Sequence, residues 1–451
     1  MKYNQLMTNQ IIYSNPFVII FLAGTFLSFF INHVLKFSDW RSRCKNGSFL
    51  PKEIKEAVEK NNLDSDSFDS EKLKKICQYE DAKYFAWIPF SICGLALTLL
   101  LVCTGYYPFI FQKILRITSF PQGFLSTFFC AALFLFLAGL PESILSIPFE
   151  LISEFKIEKK FGFSKMTFKL WLADQIKSLV LSLVLSAVLL AAATFILVKM
   201  PNTWWILLTC FIFVFTLIMQ VLYPLVIAPV FNKFTPLEEG ELKQKISALM
   251  QNLGFKSSGI FVMDASKRSG HSNAYFGGLG KSKRIVLYDT LVKQLATDEL
   301  VAVLGHELGH YKLKHIIKRF LAMVPLEFIL MFVLFKCAQT HSLYTGFGFA
   351  IESSKIQAVQ FIGLFLASVT FSPLSELFSP ITNFFSRKDE YQADAFSSEI
   401  TKNPQALICA LIKLNSENLS ELLPSELYVF WNYSHPTLIE RIRALNKSDI
   451  A

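Results

Sequence analysis

The chain has 451 residues, of which 53% are hydrophobic, and its mean hydropathy is +0.42. Soluble domains carry an apolar share of roughly 45–50%, and the excess here is gathered in long runs, which indicates membrane spans rather than a large soluble core. The formal net charge is +9, but the basic residues lie mostly between the apolar runs and form no patch on a docking element, so nucleic-acid binding is excluded. The eight cysteines include no CxxC pair, so neither a thiolate zinc site nor a disulfide framework is indicated.

Seven apolar runs have about the length that a helix needs to cross a bilayer core, roughly 20 residues. They are Phe17–Lys36, Phe85–Cys103, Phe124–Phe149, Leu179–Val198, Trp204–Val226, Phe320–Leu334 and Ala358–Phe378. The fifth run is interrupted by Pro224 and Pro229, and the sixth, which is the shortest, contains Pro325 and Glu327. An acid within a span usually faces a polar interior or a partner.

Basic residues in the connecting segments predict the orientation, because cytoplasmic loops are enriched in Lys and Arg. The segments after the first and third runs are rich in them: Arg41, Arg43, Lys45, Lys52, Lys55, Lys60, Lys72, Lys74 and Lys75, then Lys156, Lys159, Lys160, Lys165 and Lys169. The loops on the opposite side carry few: Lys113, Arg116, Lys199, Lys336 and Lys355. The N-terminus is therefore predicted outside and the C-terminus in the cytosol, together with residues 232–319.

Between the fifth and sixth runs the composition becomes that of a water-soluble domain. The stretch LEEGELKQKISALMQNLGF predicts an amphipathic helix, and Gly259–Asp264, Ser272–Gly278 and Arg284–Asp289 predict short strands. We therefore predict four regions: 1–231 with five spans, 232–319 as the first part of a soluble domain, 320–379 with the last two spans, and 380–451 as the C-terminal part of the same domain.

The segment GHELGHYKLKH, from Gly305 to His315, places three histidines and a glutamate on a helix predicted to follow the strands. On a helix, His306 and His310 project from nearly the same azimuth one turn apart, where two imidazoles can occupy two corners of a tetrahedral Zn²⁺ site. Glu307 is rotated by about 100°, so it can reach a metal-bound water as a general base. A bare HExxH also arises by chance, and a polar helix face is the alternative interpretation.

A hydrolytic zinc site needs a third protein ligand and leaves its fourth position to water. The best donor lies in NFFSRKDEYQADAF, where Glu390 and Asp394 are one turn apart on a predicted helix. Glu390 can bind the metal while Asp394 accepts a hydrogen bond from a ligand imidazole and fixes its orientation. The alternative is a charged helix face in which Arg387 pairs with Glu390. His315, rotated by about 140° from His310, is interpreted as a solvated or interfacial histidine.

Topology favours an encounter between these two helices. His306 precedes the sixth span and Glu390 follows the seventh, so two crossings return the chain to the same side of the membrane. An intramembrane protease, with its HExxH inside a span, is the alternative. The charges that flank the motif argue against it: Asp298, Glu299, Lys312, Lys314, Lys318 and Arg319.

Several further segments resemble the Ste24 family of CAAX prenyl proteases, within metallopeptidase family M48. Besides HELGH they are Ser269–Phe276, Lys283–Leu291, Phe385–Asp394, Ser434–Leu445, Phe155–Thr167 and Pro229–Leu242. The resemblance covers most of the chain. It implies a mainly α, polytopic membrane protein in which seven transmembrane helices enclose a chamber, capped by a gluzincin-type zinc metalloprotease domain with a small β-sheet. Such a chamber would account for the acids Glu142 and Glu327 within spans.

The resemblance also implies one Zn²⁺ per chain, bound by His306, His310 and Glu390, with Glu307 as the catalytic base. A second branch of M48, the HtpX proteins, shares the zinc motif but lacks the long N-terminal multispan region.

Four further residues match positions near the family's active site. Asn273 and Ala274 are implied to hold an extended substrate along a strand; an ordinary strand–turn is the alternative. His435 is implied to hydrogen-bond the developing oxyanion, and without the resemblance it would be a turn or capping residue. Arg441 is expected to pair with an acid such as Asp394 or Glu390, with a helix-surface charge as the alternative.

The expected function is removal of the last three residues from a prenylated C-terminal Cys-a-a-X tail by zinc-activated water. One alternative is quality-control cleavage of membrane proteins without a lipid tag; another is a catalytically inactive scaffold or transporter. The expected partners are prenylated protein or peptide C-termini, or membrane-protein substrates, together with the lipid bilayer. The expected location is the endoplasmic reticulum or inner nuclear membrane in a eukaryote and the inner membrane in a bacterium, with the active site on the cytosolic side.

Overall fold

Helices dominate the computed structural model, which describes residues 10–255, 258–278 and 283–448. The first part of the chain contains α1 (Pro16–Asn46), α2 (Lys52–Lys60), α3 (Ser70–Cys103), α4 (Tyr106–Thr118), α5 (Phe124–Ile152), α6 (Lys159–Phe161), α7 (Phe168–Lys199), α8 (Trp204–Leu222) and α9 (Ala228–Phe231). Next come β1 (Phe234–Pro236), α10 (Glu241–Asn252), β2 (Ile260–Met263), β3 (Ala274–Gly277), β4 (Arg284–Tyr288), α11 (Asp289–Gln294) and α12 (Thr297–Lys312). The last part contains α13 (His315–Ala338), α14 (His341–Gly346), α15 (Gln360–Phe371), α16 (Ser379–Thr401), α17 (Pro404–Glu417), α18 (Glu426–Asn432) and α19 (Leu438–Ser448).

The predicted number of membrane spans is confirmed, and the chain is a multi-pass membrane protein. Within the described part of the chain, seven helical stretches are long and apolar enough to cross a bilayer: Pro16–Asn46, Ser70–Cys103, Phe124–Phe161, Phe168–Lys199, Trp204–Phe231, Thr297–Ala338 and Ser353–Thr401. Their bounds exceed the predicted ones, most clearly in the sixth and seventh, which also include α12 and α16. Pro325 lies inside α13, as it lies inside the predicted sixth run. The prolines of the fifth run lie where α8 changes to a π-helical turn, Tyr223–Ile227, before α9.

The soluble part contains one small mixed sheet with the strand order β1-β2-β4-β3. The three predicted strands are present, and β1 is an addition that the sequence did not reveal. β2 pairs parallel with β4, while β3 pairs antiparallel with it, placing Ala274 opposite Leu287. β3 is therefore an edge strand, and no other strand of the described residues pairs with its second side.

Arg43 has a different role from the one predicted. It was counted among the loop cations that set orientation, but α1 extends past it and its side chain is only 3% exposed. It pairs with Asp39 of α1, Asp81 of α3 and Glu421 of the C-terminal region, at 3.2, 2.9 and 2.6 Å. This buried cluster joins the first two membrane helices to the soluble part of the protein.

A cavity of about 710 Å³ lies among the membrane helices. Its wall is rich in polar groups, including Asn32, His33, Glu142 and Glu376. Glu142 therefore faces a polar interior as expected, while Glu327 is half-buried on α13 outside this lining.

The helix of the HELGH motif, α12, packs closely against α16, which carries Glu390. The two glycines of the motif allow this approach. A Cβ on Gly309 would lie 3.0 Å from the Cα of Ala393, and one on Gly305 would lie 2.8 Å from the hydroxyl of Ser397. Backbone and side-chain atoms of α16 thus occupy the space that larger residues would need.

Gly309→Ala should destabilise the protein, because the added methyl group must displace the backbone of α16. Overpacking of this kind costs about 1–3 kcal/mol. Thermal unfolding of the purified protein in detergent measures the loss. Gly139→Ala is the matched control, since a Cβ at that helical position meets no atom within 4 Å. Equal melting temperatures for the two variants would show that the helices do not limit each other at Gly309.

Candidate metal centre

Defined contacts and backbone angles set both ends of the motif helix, α12. At its start, the carboxylate of Glu299 accepts a hydrogen bond from the backbone N–H of Ala296 at 2.8 Å, which satisfies one of the unpaired donors of a helix N-terminus. At its end, Lys314 adopts a left-handed conformation with φ 59°, so α12 stops at Lys312 and α13 starts in a new direction at His315.

Three donor side chains converge between α12 and α16. The Nε2 atoms of His306 and His310 lie 3.2 Å apart. The carboxylate oxygens of Glu390 lie 3.3 Å from the first of these nitrogens and 3.2 Å from the second. The structure therefore brings together the three predicted metal ligands, with an edge of nearly equal length between each pair.

These side chains fit a tetrahedrally bound Zn²⁺. Metal–ligand bonds of about 2.0–2.1 Å place the corners of a tetrahedron about 3.3–3.4 Å apart, close to the observed spacings. Glu390 is 3% exposed, and its buried Oε2 has no hydrogen-bond partner within the described structure. An uncompensated buried carboxylate oxygen is costly, and a cation held by the three side chains would remove that cost.

Asp394 and Arg441 orient His306 through its Nδ1 atom, on the side of the ring away from the predicted metal position. The Oδ1 of Asp394 lies 2.7 Å from Nδ1 of His306, which leaves Nε2 directed at the metal position. Arg441 contacts both oxygens of Asp394, at 2.8 and 2.5 Å. Burial opposes the charge of Arg441, but the carboxylate of Asp394 outweighs it and raises the pKa of the guanidinium. The predicted pairing of Arg441 is thus with Asp394.

His315 contacts His310, the second predicted ligand, so its interpretation as a solvated or interfacial histidine is wrong. Its side chain is 1% exposed, and its Nδ1 lies 3.1 Å from Nδ1 of His310. Its Nε2 lies 3.1 Å from the amide oxygen of Gln392 on α16. If Nδ1–H of His310 donates to His315 and Nε2–H of His315 donates to Gln392, then Nε2 of His310 keeps its lone pair for the metal.

The two predicted catalytic residues, Glu307 and His435, lie at the open side of the centre. Glu307 is half-buried and borders a groove together with His310. The Nε2 of His435 lies 3.5 Å from Glu390, yet 63% of its side chain is exposed. Desolvation by the surrounding protein lowers the pKa of His435, against the opposing effect of Glu390.

The segment that carries His435 is fixed by α16, through contacts that the sequence did not suggest. Arg387 donates to the carbonyl of Tyr433 at 2.6 Å, and Asn383 donates to the carbonyl of Trp431 at 2.7 Å. Glu390 therefore does not belong to a charged surface face paired with Arg387, as the alternative interpretation required. Both contacts join a side chain to a distant backbone carbonyl, which leaves no spacing signal in the sequence.

Asn273 and Ala274 lie where the open edge of the sheet begins. Asn273 is exposed, and Ala274 is the first residue of β3. The side-chain oxygen of Asn273 accepts a hydrogen bond from the N–H of Ala274 at 2.8 Å, and its carbonyl accepts one from Tyr288 at 3.0 Å. Because β3 packs beside α12, an extended chain added to this edge would pass close to the metal centre.

The same arrangement of sequence and fold occurs in known proteins. Residues 236–449 match the model of peptidase family M48, and residues 40–233 match the CAAX prenyl protease N-terminal region, described as five membrane helices. A protein from Oryza sativa subsp. japonica named CAAX prenyl protease 1 homolog is 43% identical over 317 residues, which is 70% of this chain and 73% of the relative. A protein of the same name from Dictyostelium discoideum is 35% identical over 453 residues, covering 98% of each chain.

A crystal structure of S. mikatae Ste24p superposes with a TM-score of 0.85 at 34% identity, covering 96% of this chain and 99% of that one. The family implies a metal, and the three converging side chains are the group that could hold it. The chain therefore belongs to peptidase family M48, as a membrane metalloprotease of the Ste24 type.

Proposed function

We propose that the chain is a zinc endopeptidase that removes the last three residues from a prenylated C-terminal Cys-a-a-X tail. The near-tetrahedral spacing of His306, His310 and Glu390, with Glu307 beside them, is the observation that carries the proposal. The substrate class rests on the relatives, which are named CAAX prenyl protease 1. The matched five-helix N-terminal region argues against an HtpX-like protease, which lacks such a region.

A bound Zn²⁺ would supply an acidified water and polarise the scissile carbonyl. Glu307 removes a proton from the attacking water and returns it to the leaving amine, a role for which its place at the open side of the centre suits it. His435 donates a hydrogen bond to the oxygen that becomes negative. Asp394, held by Arg441, keeps His306 in the orientation that leaves Nε2 for the metal.

The substrate pairs with the open edge of β3 near Asn273 and Ala274. Main-chain hydrogen bonds would hold the tail extended beside the metal and make little demand on its side chains. The lipid adds binding energy, since each buried methylene contributes about 0.8 kcal/mol. For a eukaryotic source we place the protein in the endoplasmic reticulum or inner nuclear membrane. The distribution of basic residues in its loops favours an N-terminus in the lumen and a metal centre on the cytosolic side.

Glu307→Gln should abolish tail cleavage without removing the metal, because the base is lost while the ligands stay in place. Loss of a general base lowers kcat by about 10²–10⁴-fold. Cleavage of a farnesylated peptide, together with metal content by mass spectrometry, measures both quantities. A variant that keeps full activity would rule out Glu307 as the base, and stripping the wild type with a chelator should reproduce the loss reversibly.

The lipid requirement is tested with matched peptides that differ only in an S-farnesyl or S-methyl group. The farnesylated peptide should be cleaved with the higher kcat/KM, because its chain buries apolar surface that the methyl group lacks. Equal cleavage of both peptides by the wild type, abolished by Glu307→Gln, would establish a protease without lipid recognition and support the quality-control alternative.

His315→Ala should weaken metal binding, because Nδ1 of His310 loses the partner that fixes its ring. Mutation of such an outer partner typically costs about 10–100-fold in metal affinity. Competition with a chromophoric chelator measures the affinity, and His315→Asn, which retains a polar side chain, should recover part of it. Unchanged affinity in His315→Ala would show that His310 is oriented by the helix alone.

A further inference from the structure

An apolar groove of about 580 Å³ begins at the metal centre and extends between β3, α8 and the start of α13. Glu307 and His310 form part of its wall. Most of the remaining wall is apolar or aromatic, including Met219, Phe276 and Ile317, and its polar members are Thr216, Gln220, Lys283 and Lys314. Because α8 and α13 are membrane-spanning helices, the groove connects the metal centre with the lipid-facing part of the protein.

We propose that this groove binds the isoprenoid chain of the prenylated cysteine. The inference rests on the proposed function and assigns the lipid a place within it. In such a substrate only Cα and Cβ separate the thioether sulfur from the scissile carbonyl carbon, so the lipid must begin beside the reacting atoms. The groove begins there because Glu307 and His310 line it, and its volume lies within the range of pockets for small ligands, about 300–1,000 Å³.

The larger cavity among the membrane helices is a poorer site for the lipid. None of the three metal-binding side chains or Glu307 belongs to its lining among the described residues. Its wall also has a larger polar share than that of the groove, with Asn32, His33, Glu142 and Glu376. An alkyl chain would take water from these groups without replacing its hydrogen bonds. A lipid bound there would leave the cysteine remote from the base.

The direction of β3 agrees with the groove. Antiparallel pairs outnumber parallel ones about two- to threefold, and β3 itself pairs in this way with β4. A substrate antiparallel to β3 has its N-terminal part beside Gly277, which lines the groove, and its C-terminal part beside Asn273. The prenylated cysteine then lies on the groove side of the scissile bond, and the three leaving residues lie on the other side.

Two space-filling variants with opposite expectations test the assignment. Met219→Trp fills the groove with an apolar side chain, and Gly139→Phe projects into the large cavity from a position with no atom within 4 Å of the new Cβ. The measured quantity is the ratio of kcat/KM for S-farnesyl over S-methyl peptides. Met219→Trp should lower this ratio by about tenfold, the scale on which a hydrophobic pocket discriminates, while Gly139→Phe should leave it at the wild-type value.

A second measurement does not depend on the folding of either variant. A peptide whose prenyl chain carries a photoactivatable diazirine is bound to Glu307→Ala protein and irradiated, and the adducts are mapped by mass spectrometry. Adducts on the groove residues of α8, β3 or α13 support the assignment. Adducts confined to the large cavity, or a farnesyl preference that survives Met219→Trp and is lost in Gly139→Phe, overturn it. A wild type with no farnesyl preference would instead refute the proposed substrate class.

Discussion

The close approach of α12 and α16 is the constraint on which the metal centre depends. One helix supplies two donor nitrogens and the other supplies the carboxylate, so the donors can meet only if the helix axes lie nearer than ordinary side chains allow. Gly309 opposite Ala393 and Gly305 opposite Ser397 make this possible. The motif is therefore as much a packing element as a set of ligands, since its glycines place the histidines within reach of Glu390.

The membrane helices set where these two helices meet. α13 follows α12 after only Leu313 and Lys314, and α16 continues from α15 through a short 3₁₀ segment, Ser372–Phe378. α13 and α15 pack tightly at Gly363, where an added Cβ would lie only 2.8 Å from the Cα of Ala338. Packing within the membrane part is thus transmitted through short connections to the metal ligands.

The sequence predicts those features of the site that follow from the helical period and from the even number of membrane crossings. The four-residue spacing of His306 and His310 fixes a shared azimuth, and two crossings return Glu390 to the same side. Prediction from the sequence fails where a helix ends without a recognisable sequence signal. The rotation predicted for His315 assumes a continuous helix, whereas the left-handed conformation of Lys314 redirects the chain and brings that imidazole back against His310.

The prediction that Arg43 lies exposed in a loop fails for a related reason. Hydropathy predicts that the span ends at Lys36, but α1 continues for ten more residues, to Asn46. In this extension Asp39, Asp81 and Glu421 neutralise the charge of Arg43, which hydropathy treats as solvent-exposed. Long-range partners of this kind, like the carbonyls held by Arg387 and Asn383, have no fixed separation along the chain. Their absence from a sequence-based prediction reflects the tertiary origin of the contacts.

The site has a buried side, with Glu390 and Asp394, and an accessible side, with Glu307 and His435. Glu390 and Asp394 are both buried, and Arg441 pairs with Asp394. The imidazoles must be neutral to bind a metal. A cation held by His306, His310 and Glu390 would offset the charge of Glu390, while Arg441 offsets that of Asp394. Of the two residues that remain accessible, Glu307 lines the same groove as β3, and 63% of the His435 side chain is exposed. An extended chain that pairs with β3 would therefore lie within the groove that Glu307 borders.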